Sequence, residues 1–286
     1  MLELDLTKAQ KVKEAKISFI GLGNMGSAIA KAIAFQNKED KTSFSVGLFD
    51  ANPSQISALE SYLENEGTKT YSYSSIESLV KNSAIVVICV KPQILPAIYK
   101  ELRNNNDDSV CFISIAAGVP LSTLSDNIKS DEIVRFMPNI AAQARKAVTA
   151  VAPHKNCSES HLKNSMNIAN AIGQGFILNE DKFAAFIGIS GSAIAYIFEF
   201  AHALALGGTR EGIPYNQAAD IAFSTMESAM SLYNMEKENP ISLMVKVCSA
   251  GGTTIEGVKA LGEGSFDNTV INAVSKAAQK SRDLEK

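Results

Sequence analysis

Apolar residues fall along the chain in two rhythms, and the change between them divides it. In the first part, short runs rich in β-branched and aromatic residues recur: Ile17–Ile20, Phe44–Asp50, Ile85–Val90, Val110–Gly118, Glu132–Asn139, Ala147–Pro153 and Gly175–Leu178. Short continuous runs of this kind predict buried strands. Between them, Ser27–Ile33 returns Ala28, Ile29, Ala32 and Ile33 at helical spacing, and Ser158–Ile172 is also helical. Strands alternating with helices predict an α/β domain on a doubly wound parallel sheet. From Asn179 onward the strand rhythm stops. The remainder reads as helices interrupted at ALGGTREGIPYNQ, EKENPIS and SAGGTT. The expected organisation is therefore a sheet domain over residues 1–179 and an all-helical domain over residues 180–286.

The first strand-to-helix junction, GLGNMG, places three glycines within six residues. In Gly-x-Gly-x-x-Gly, Gly21 permits a tight turn, Gly23 lets a pyrophosphate approach the main chain, and Gly26 lets helix and strand pack closely. Leu22, Asn24 and Met25 complete a turn whose N–H groups sit at the positive end of the helix dipole, where phosphates bind. Close helix–strand packing alone can also select glycine, but strand, turn and helix occurring in order favour a Rossmann dinucleotide-binding domain. The next strand ends in Asp50, which suits a ribose 2′-OH acceptor. Its separation from Gly26 exceeds the usual spacing, with QNKEDKT reading as a loop insertion. An ordinary aspartate in the turn before Asn52-Pro53 is the competing reading. Ligands of such sheets lie beyond the C-terminal strand ends, which here are the GLGNMG, VKPQ, IAAG and MPN edges of one crevice.

With 286 residues, 46% of them hydrophobic, the chain has material for one large or two medium folded domains. A net charge of −3 without dense Lys/Arg clusters argues against nucleic acid or an anionic membrane as the main partner. Cys89, Cys111, Cys157 and Cys248 are far apart, contain no C-x-x-C and read as reduced core thiols. His154, His161 and His202 have no ligand spacing, so no metal site is indicated. The charged lead-in MLELDLTKAQKVKEAK lacks the apolar segment of a signal peptide, and a cytoplasmic location is expected. Phe183–Leu206 is apolar enough to resemble a membrane span, but its Gly, Ser, Glu199 and His202 point to a helix buried on nearly every side, in a core or subunit interface.

The second glycine-rich stretch, VCSAGGTTIEGVKALGEG, places Gly251-Gly252 before Thr253-Thr254 and a helix. The first N–H groups of such a helix lack intrachain partners and form a small-anion site. A plain N-cap by either threonine is the alternative. Together, FIGLGNMGSAIA, VKPQ, SIAAGV, MPN and above all SAGGTTIEGVKAL resemble the pyrroline-5-carboxylate reductase family, from Ile17 to the C-terminal tail.

That resemblance implies a Rossmann domain followed by a helical domain that interlocks with a second subunit, the site forming at the interface of a homodimer or higher homo-oligomer. It implies NAD(P)H-dependent reduction of 1-pyrroline-5-carboxylate to L-proline, the last step of proline biosynthesis. The dinucleotide would be held by Gly21–Gly26, by Cys89, Val90, Lys91 and Pro92, by Ile115, Ala116 and Ala117, and by Asn139. The cyclic imine would be held by Ser249, Gly251, Gly252, Thr253 and Thr254, with Glu180 at a family acidic position beside the site. Hydride transfer to a C=N carbon needs position and electrostatics more than a nucleophile. The helix opening would bind the substrate carboxylate, and the Thr254 hydroxyl would meet the ring nitrogen as the catalytic contact. The two glycine-rich helix openings would then serve one site. Asp50 adds a preference: a carboxylate repels a 2′-phosphate, and no Lys or Arg lies between Asp50 and Lys69, so NADH is expected to serve at least as well as NADPH.

The chain departs from the family at Ala193 and Ile194, where Gly-Pro is usual, and at Ala184, Ile187, Ala250 and Lys246. Two rival functions share these features. A β-hydroxyacid dehydrogenase has a similar glycine turn, but its lysine position is Ile197 here, which removes the group an alcohol oxidation needs. A dinucleotide-binding dimeric paralogue without turnover would suit SGSAIAY and not the intact SAGGTT.

Overall fold

The computed structural model describes residues 16–40, 44–105 and 109–284. The lead-in before Lys16 lies outside them. The sheet elements run β1 (Lys16–Ile20), α1 (Asn24–Asp40), β2 (Ser45–Phe49), α2 (Pro53–Asn65), β3 (Thr70–Ser72), α3 (Ile76–Lys81), β4 (Ile85–Ile88), α4 (Leu95–Asn104), β5 (Cys111–Ser114), α5 (Leu121–Ile128), β6 (Ile133–Pro138), β7 (Ala147–Pro153), α6 (Glu159–Ala171) and β8 (Gly173–Ile177). They form one eight-stranded sheet in the order β3-β2-β1-β4-β5-β6-β7-β8. The order reverses between β1 and β4, which is where ligands of doubly wound sheets bind.

The sheet is not parallel throughout. β1 to β6 pair in parallel, but β7 runs antiparallel to β6, with Met137 opposite Ala150, and β8 is parallel to β7. The reason is connection length: only a 3₁₀ turn, Ile140–Ala144, separates β6 from β7. A parallel return needs a crossover of a dozen or more residues. Two further expectations change. The run read as a strand from Val110 to Gly118 is extended only to Ser114, leaving Ile115–Val119 as a loop. Most of QNKEDKT is helix, because α1 continues to Asp40 and the Asn37 side chain clamps Phe44, donating to its carbonyl at 2.8 Å and accepting from its N–H at 3.1 Å. The edge strand β3, half-exposed Thr-Tyr-Ser, carries no apolar run to announce it.

Strand side chains alternate between two cores. Ile17 and Phe19 pack with Ile29, Ile33 and Ile168 beneath α1, α2 and α6. Ile20, Val86 and Phe112 pack with Leu95, Leu102 and Leu124 beneath α3, α4 and α5.

The chain divides into two compact units, one reaching Phe186 and rejoined from Ser281, the other Ile187–Lys280. A short helix, α7 (Phe183–Phe186), closes the first. The second begins with a π turn, Ile187–Gly191, and continues through α8 (Ala193–Arg210), α9 (Tyr215–Glu236), α10 (Pro240–Val247), α11 (Thr253–Glu263) and α12 (Phe266–Leu284). Gly207-Gly208 lie inside α8 and do not end it. A Cβ on Gly208 would stand 3.1 Å from the Ala218 methyl, so this glycine permits the close crossing of α8 and α9.

Candidate active site

Each glycine of the first turn does separate work. Gly21 has φ +94°, and a Cβ there would meet the main chain of Cys89 and Val90 at 3.0 Å. A Cβ on Gly26 would stand 2.2 Å from the Gly21 carbonyl oxygen, so α1 lies directly on the turn. Gly23 is different: no atom lies within 4 Å of its Cβ position. The first hydrogen bond inside α1 is Ser27 N–H to Gly23 O, 2.9 Å, so the amides of Asn24, Met25 and Gly26 precede any helical acceptor. An open main-chain face at a helix N-terminus fits a pyrophosphate. From Leu22, Gly23 and Asn24 a cleft of about 580 Å³ runs along α1 past Lys31 to Arg145.

Asp50 stands where a ribose acceptor should, and it is also a brace. Its Oδ2 accepts from Leu22 N–H at 2.6 Å and its Oδ1 from Asn52 N–H at 2.8 Å. One oxygen thus ties the end of β2 to the glycine turn and the other forms the turn before α2, the role that the sequence offered as the alternative to a ribose acceptor. Each oxygen retains a second lone pair.

The other sheet-edge residues divide by role. Cys89–Val90 follow β4 and back the glycine turn, while Lys91 is exposed and precedes a 3₁₀ turn opened by Pro92. Ala116 is buried, its N–H donating to Ser114 Oγ at 3.3 Å, and Ala117 is exposed on the loop. Asn139 is buried and its Oδ1 caps the following turn, accepting from Ala141 N–H at 3.2 Å and Val148 N–H at 3.4 Å. Its side-chain carbonyl is therefore committed to joining β6 and β7.

Glu180 makes contacts that sequence reading missed. Its Oε1 accepts from Arg135 Nη1 at 2.8 Å and from Leu121 N–H at 2.8 Å. Arg135 lies on β6 with 1% of its side chain exposed, its guanidinium 5.0 Å from the centre of the Phe183 ring. The available signal was a charge inside the apolar run IVRFMP.

The second glycine-rich stretch is a tight turn in the helical unit. Gly252 N–H donates to Ser249 O at 3.0 Å, Gly251 has φ +66°, and a Cβ on Gly252 would collide with Ser249 Oγ at 2.3 Å. Gly252 is the N-cap of α11 and makes no side-chain cap. Among the described residues, the hydroxyls of Thr253 and Thr254 make no hydrogen bond, so neither threonine serves as the cap. Lys246 pairs with Glu236 and with Glu238, the latter at 2.8 Å. Ala193 forms the wall of an apolar groove with Ile189, Tyr196, Phe200 and Phe266.

Thiol chemistry is suppressed across the sheet unit. Burial pushes the Cys89 thiol far up and those of Cys111 and Cys157 to about 12. Only Cys111 is fully buried, whereas Cys89, Cys157 and Cys248 are partly exposed. His154 and His161 each face a carboxylate at the start of β6: Asp131 at 3.3 Å and Glu132 at 2.7 Å.

Comparison with known proteins shows the family. The pyrroline-5-carboxylate reductase of Methanosarcina acetivorans is 33% identical over 96% of this chain and all of its own. This chain belongs to the pyrroline-5-carboxylate reductase family. Residues 180–284 match the family model for pyrroline-5-carboxylate reductase dimerisation, and residues 16–118 that for NADP oxidoreductase, coenzyme F420-dependent. A solved pyrroline-5-carboxylate reductase from Coxiella burnetii shares the fold with a TM-score of 0.87 at 23% identity, covering 96% of this chain and 99% of that one. The Plasmodium falciparum pyrroline carboxylate reductase with NADP bound gives 0.76 at 26% identity over 95% and 98%. Of the departures noted in the sequence, Ala193 lies on an apolar groove and Lys246 in an ion-pair cluster, while Ala250 lies inside the Ser249–Thr254 turn.

Proposed function

We infer that this enzyme reduces 1-pyrroline-5-carboxylate to L-proline at the expense of NADH or NADPH, the last step of proline biosynthesis. The observation that carries this reading is the opening of α11, where unpaired threonine hydroxyls and glycine main chain surround a helix N-terminus with no side-chain cap. An anionic substrate with a polar ring atom suits that opening. We assign the substrate carboxylate to the first N–H groups of α11 with Ser249 and Thr253, and the ring nitrogen to the Thr254 hydroxyl. Gly21–Gly26 and the amides of Asn24 and Met25 hold the pyrophosphate, and Asp50 the adenosine ribose. When bound, the dinucleotide supplies a hydride to the imine carbon. A protonated imine is already electrophilic, so the chain contributes orientation and a fixed electrostatic field. With Ile197 in place of a lysine, the alternative alcohol oxidation lacks its catalytic group.

The protein works as a homo-oligomer, and we assign the homodimer as its unit. Glu180–Arg210 is long and apolar enough to span a membrane by length and composition. The expectation that this segment is buried on nearly every side fails for the single chain: α8 buries Ala201 and Ala205 but leaves Ile197 51% and Phe198 57% exposed. A partner subunit is the cover that the dimerisation match supports. A soluble cytoplasmic enzyme acting on a small molecule, without a nucleic-acid or membrane partner, follows from this reading.

The test is oxidation of NADH and of NADPH with pyrroline-5-carboxylate, set beside 2-hydroxy acids with the oxidised dinucleotides. Proline formation with either reduced dinucleotide is expected. Absence of turnover in protein that binds dinucleotide would leave the inactive-paralogue reading, and Ala193→Gly with Ile194→Pro would then locate the cause.

A further inference from the structure

We propose that Arg135 and Glu180 are positioning residues for the dinucleotide, acting as one ion pair that fixes the exit of the Ile115–Val119 loop. This rests on the reading that the loop meets the dinucleotide. The loop leaves β5 well anchored: Ile115 N–H donates to Ile88 O at 3.1 Å, and Ala116 N–H to Ser114 Oγ. Its far end has no local anchor of that kind. Gly118 turns with φ +74°, Pro120 has no N–H to donate, and α5 begins without a side-chain cap from its own loop. The first N–H of α5, at Leu121, goes instead to Glu180, 59 residues away in sequence.

The acceptor of that bond is held from the sheet. The same oxygen, Glu180 Oε1, receives Arg135 Nη1. Arg135 sits in β6 in register with Ser114 of β5, so the loop's entry and the guanidinium that fixes its exit rise from neighbouring strands. Because one oxygen serves both donors, a shift of the guanidinium shifts the start of α5. Buried ion pairs seldom stabilise a fold more than apolar groups of the same shape would. What this pair supplies is direction, and its carboxylate also suits the positive end of α5.

The experiment measures dinucleotide Kd by quenching or transfer of NAD(P)H fluorescence, and steady-state rates at saturating dinucleotide. Glu180→Ala and Arg135→Met are each expected to raise Kd about tenfold and to lower kcat, with KM for the imine within about twofold of wild type. The double variant should be no worse than the worse single, because the two side chains act as one unit. Glu180→Gln, whose amide oxygen still accepts from Leu121 N–H, should recover most of the lost dinucleotide affinity. Should loss of the carboxylate stop Glu180→Ala from folding, Glu180→Asp, which keeps the charge and withdraws the oxygen by one methylene, gives the same comparison. An unchanged Kd with a raised imine KM would make Glu180 a substrate contact and overturn the proposal, as would equal defects in the Gln and Ala variants. Ala117→Asp tests the underlying reading separately: a normal dinucleotide Kd there removes the loop from the site whatever the ion pair does.

Discussion

Substituting alanine at Gly26 and at Gly23 separates what the glycine turn does for the fold from what it does for the ligand. At Gly26 the added methyl would lie 2.2 Å from the Gly21 carbonyl oxygen and 3.1 Å from the Cys89 Cβ. The nearer atom is main chain and cannot rotate away, so α1 must lift from the turn by roughly 1 Å to reach an ordinary contact distance. Overpacking of this kind costs about 1–3 kcal/mol, and two backbone segments in collision place Gly26→Ala at the upper end. For a protein of this size that is about 5 °C in Tm. At Gly23 the methyl meets nothing within 4 Å, so Gly23→Ala should unfold within about 2 °C of wild type, the entropy gained in the unfolded chain offsetting a slightly poorer N-cap. Its cost appears only when a pyrophosphate approaches that face: dinucleotide affinity should fall tenfold or more. Thermal unfolding by circular dichroism and NAD(P)H fluorescence titration read the two effects. Wild-type affinity in Gly23→Ala would mean that the open face is not the phosphate seat, and an unchanged Tm in Gly26→Ala would refute the packing argument.

Other perturbations test the remaining assignments. Thr254→Val keeps bulk and removes the hydroxyl; it should lower kcat/KM by about ten- to a hundredfold, the worth of one positioned hydrogen bond of about 1–3 kcal/mol, while dinucleotide Kd stays put. Near wild-type kcat/KM would return the threonine to an inert first-turn residue. Asp50→Ala should raise the NADH Kd more than the NADPH Kd, because the carboxylate favours a free 2′-OH and repels a 2′-phosphate; a strong NADPH preference unchanged by the substitution would show that Asp50 is not the discriminator. Burial alone would raise the Glu132 carboxyl, but hydrogen bonds from Ser158 N–H, His161 and the Ser158 hydroxyl outweigh it and hold the pKa below the usual carboxylate value. Its stabilising contribution is then complete above the unfolded value of about 4.3 and is lost as pH falls through the lower folded value. The stability gap between wild type and Glu132→Gln, about 1–2 kcal/mol at neutral pH, should therefore close in acid, and a gap independent of pH would contradict the assignment. Phe198→Asp on the exposed face of α8 should yield monomers by light scattering at micromolar concentration; an intact oligomer would move the interface elsewhere.

What was legible in the sequence follows a physical line. Motifs whose logic is local could be read directly: the tasks of Gly21 and Gly26 follow from steric demands within a few residues, and the structure shows the contacts those demands imply. The central strand β4 announced itself because burial on both faces leaves a continuous apolar run. Properties set by partners distant in sequence stayed hidden. Nothing near Glu180 shows that its oxygen serves Leu121 and Arg135. Asp50 lay between these cases: its place at the end of β2 was readable, its bond to Leu22 N–H was not. For α8 the sequence left core and subunit interface open, because an apolar sequence tells that a surface must be covered, not which molecule covers it; in the single chain Ile197 and Phe198 are exposed.

The suppressed thiols have a consequence for how such a protein ages. A thiol must ionise before it reacts with peroxide, and a pKa near 12 leaves about one thiolate in 10⁵ at pH 7 for Cys111 and Cys157. Cys89, which backs the glycine turn, is pushed higher still. The dinucleotide turn is therefore underlain by sulfur that oxidants attack slowly, and the chemistry assigned to Thr254 and the helix opening draws on no sulfur at all. Oxidants that inactivate thiol-dependent enzymes would meet little thiolate beneath this turn.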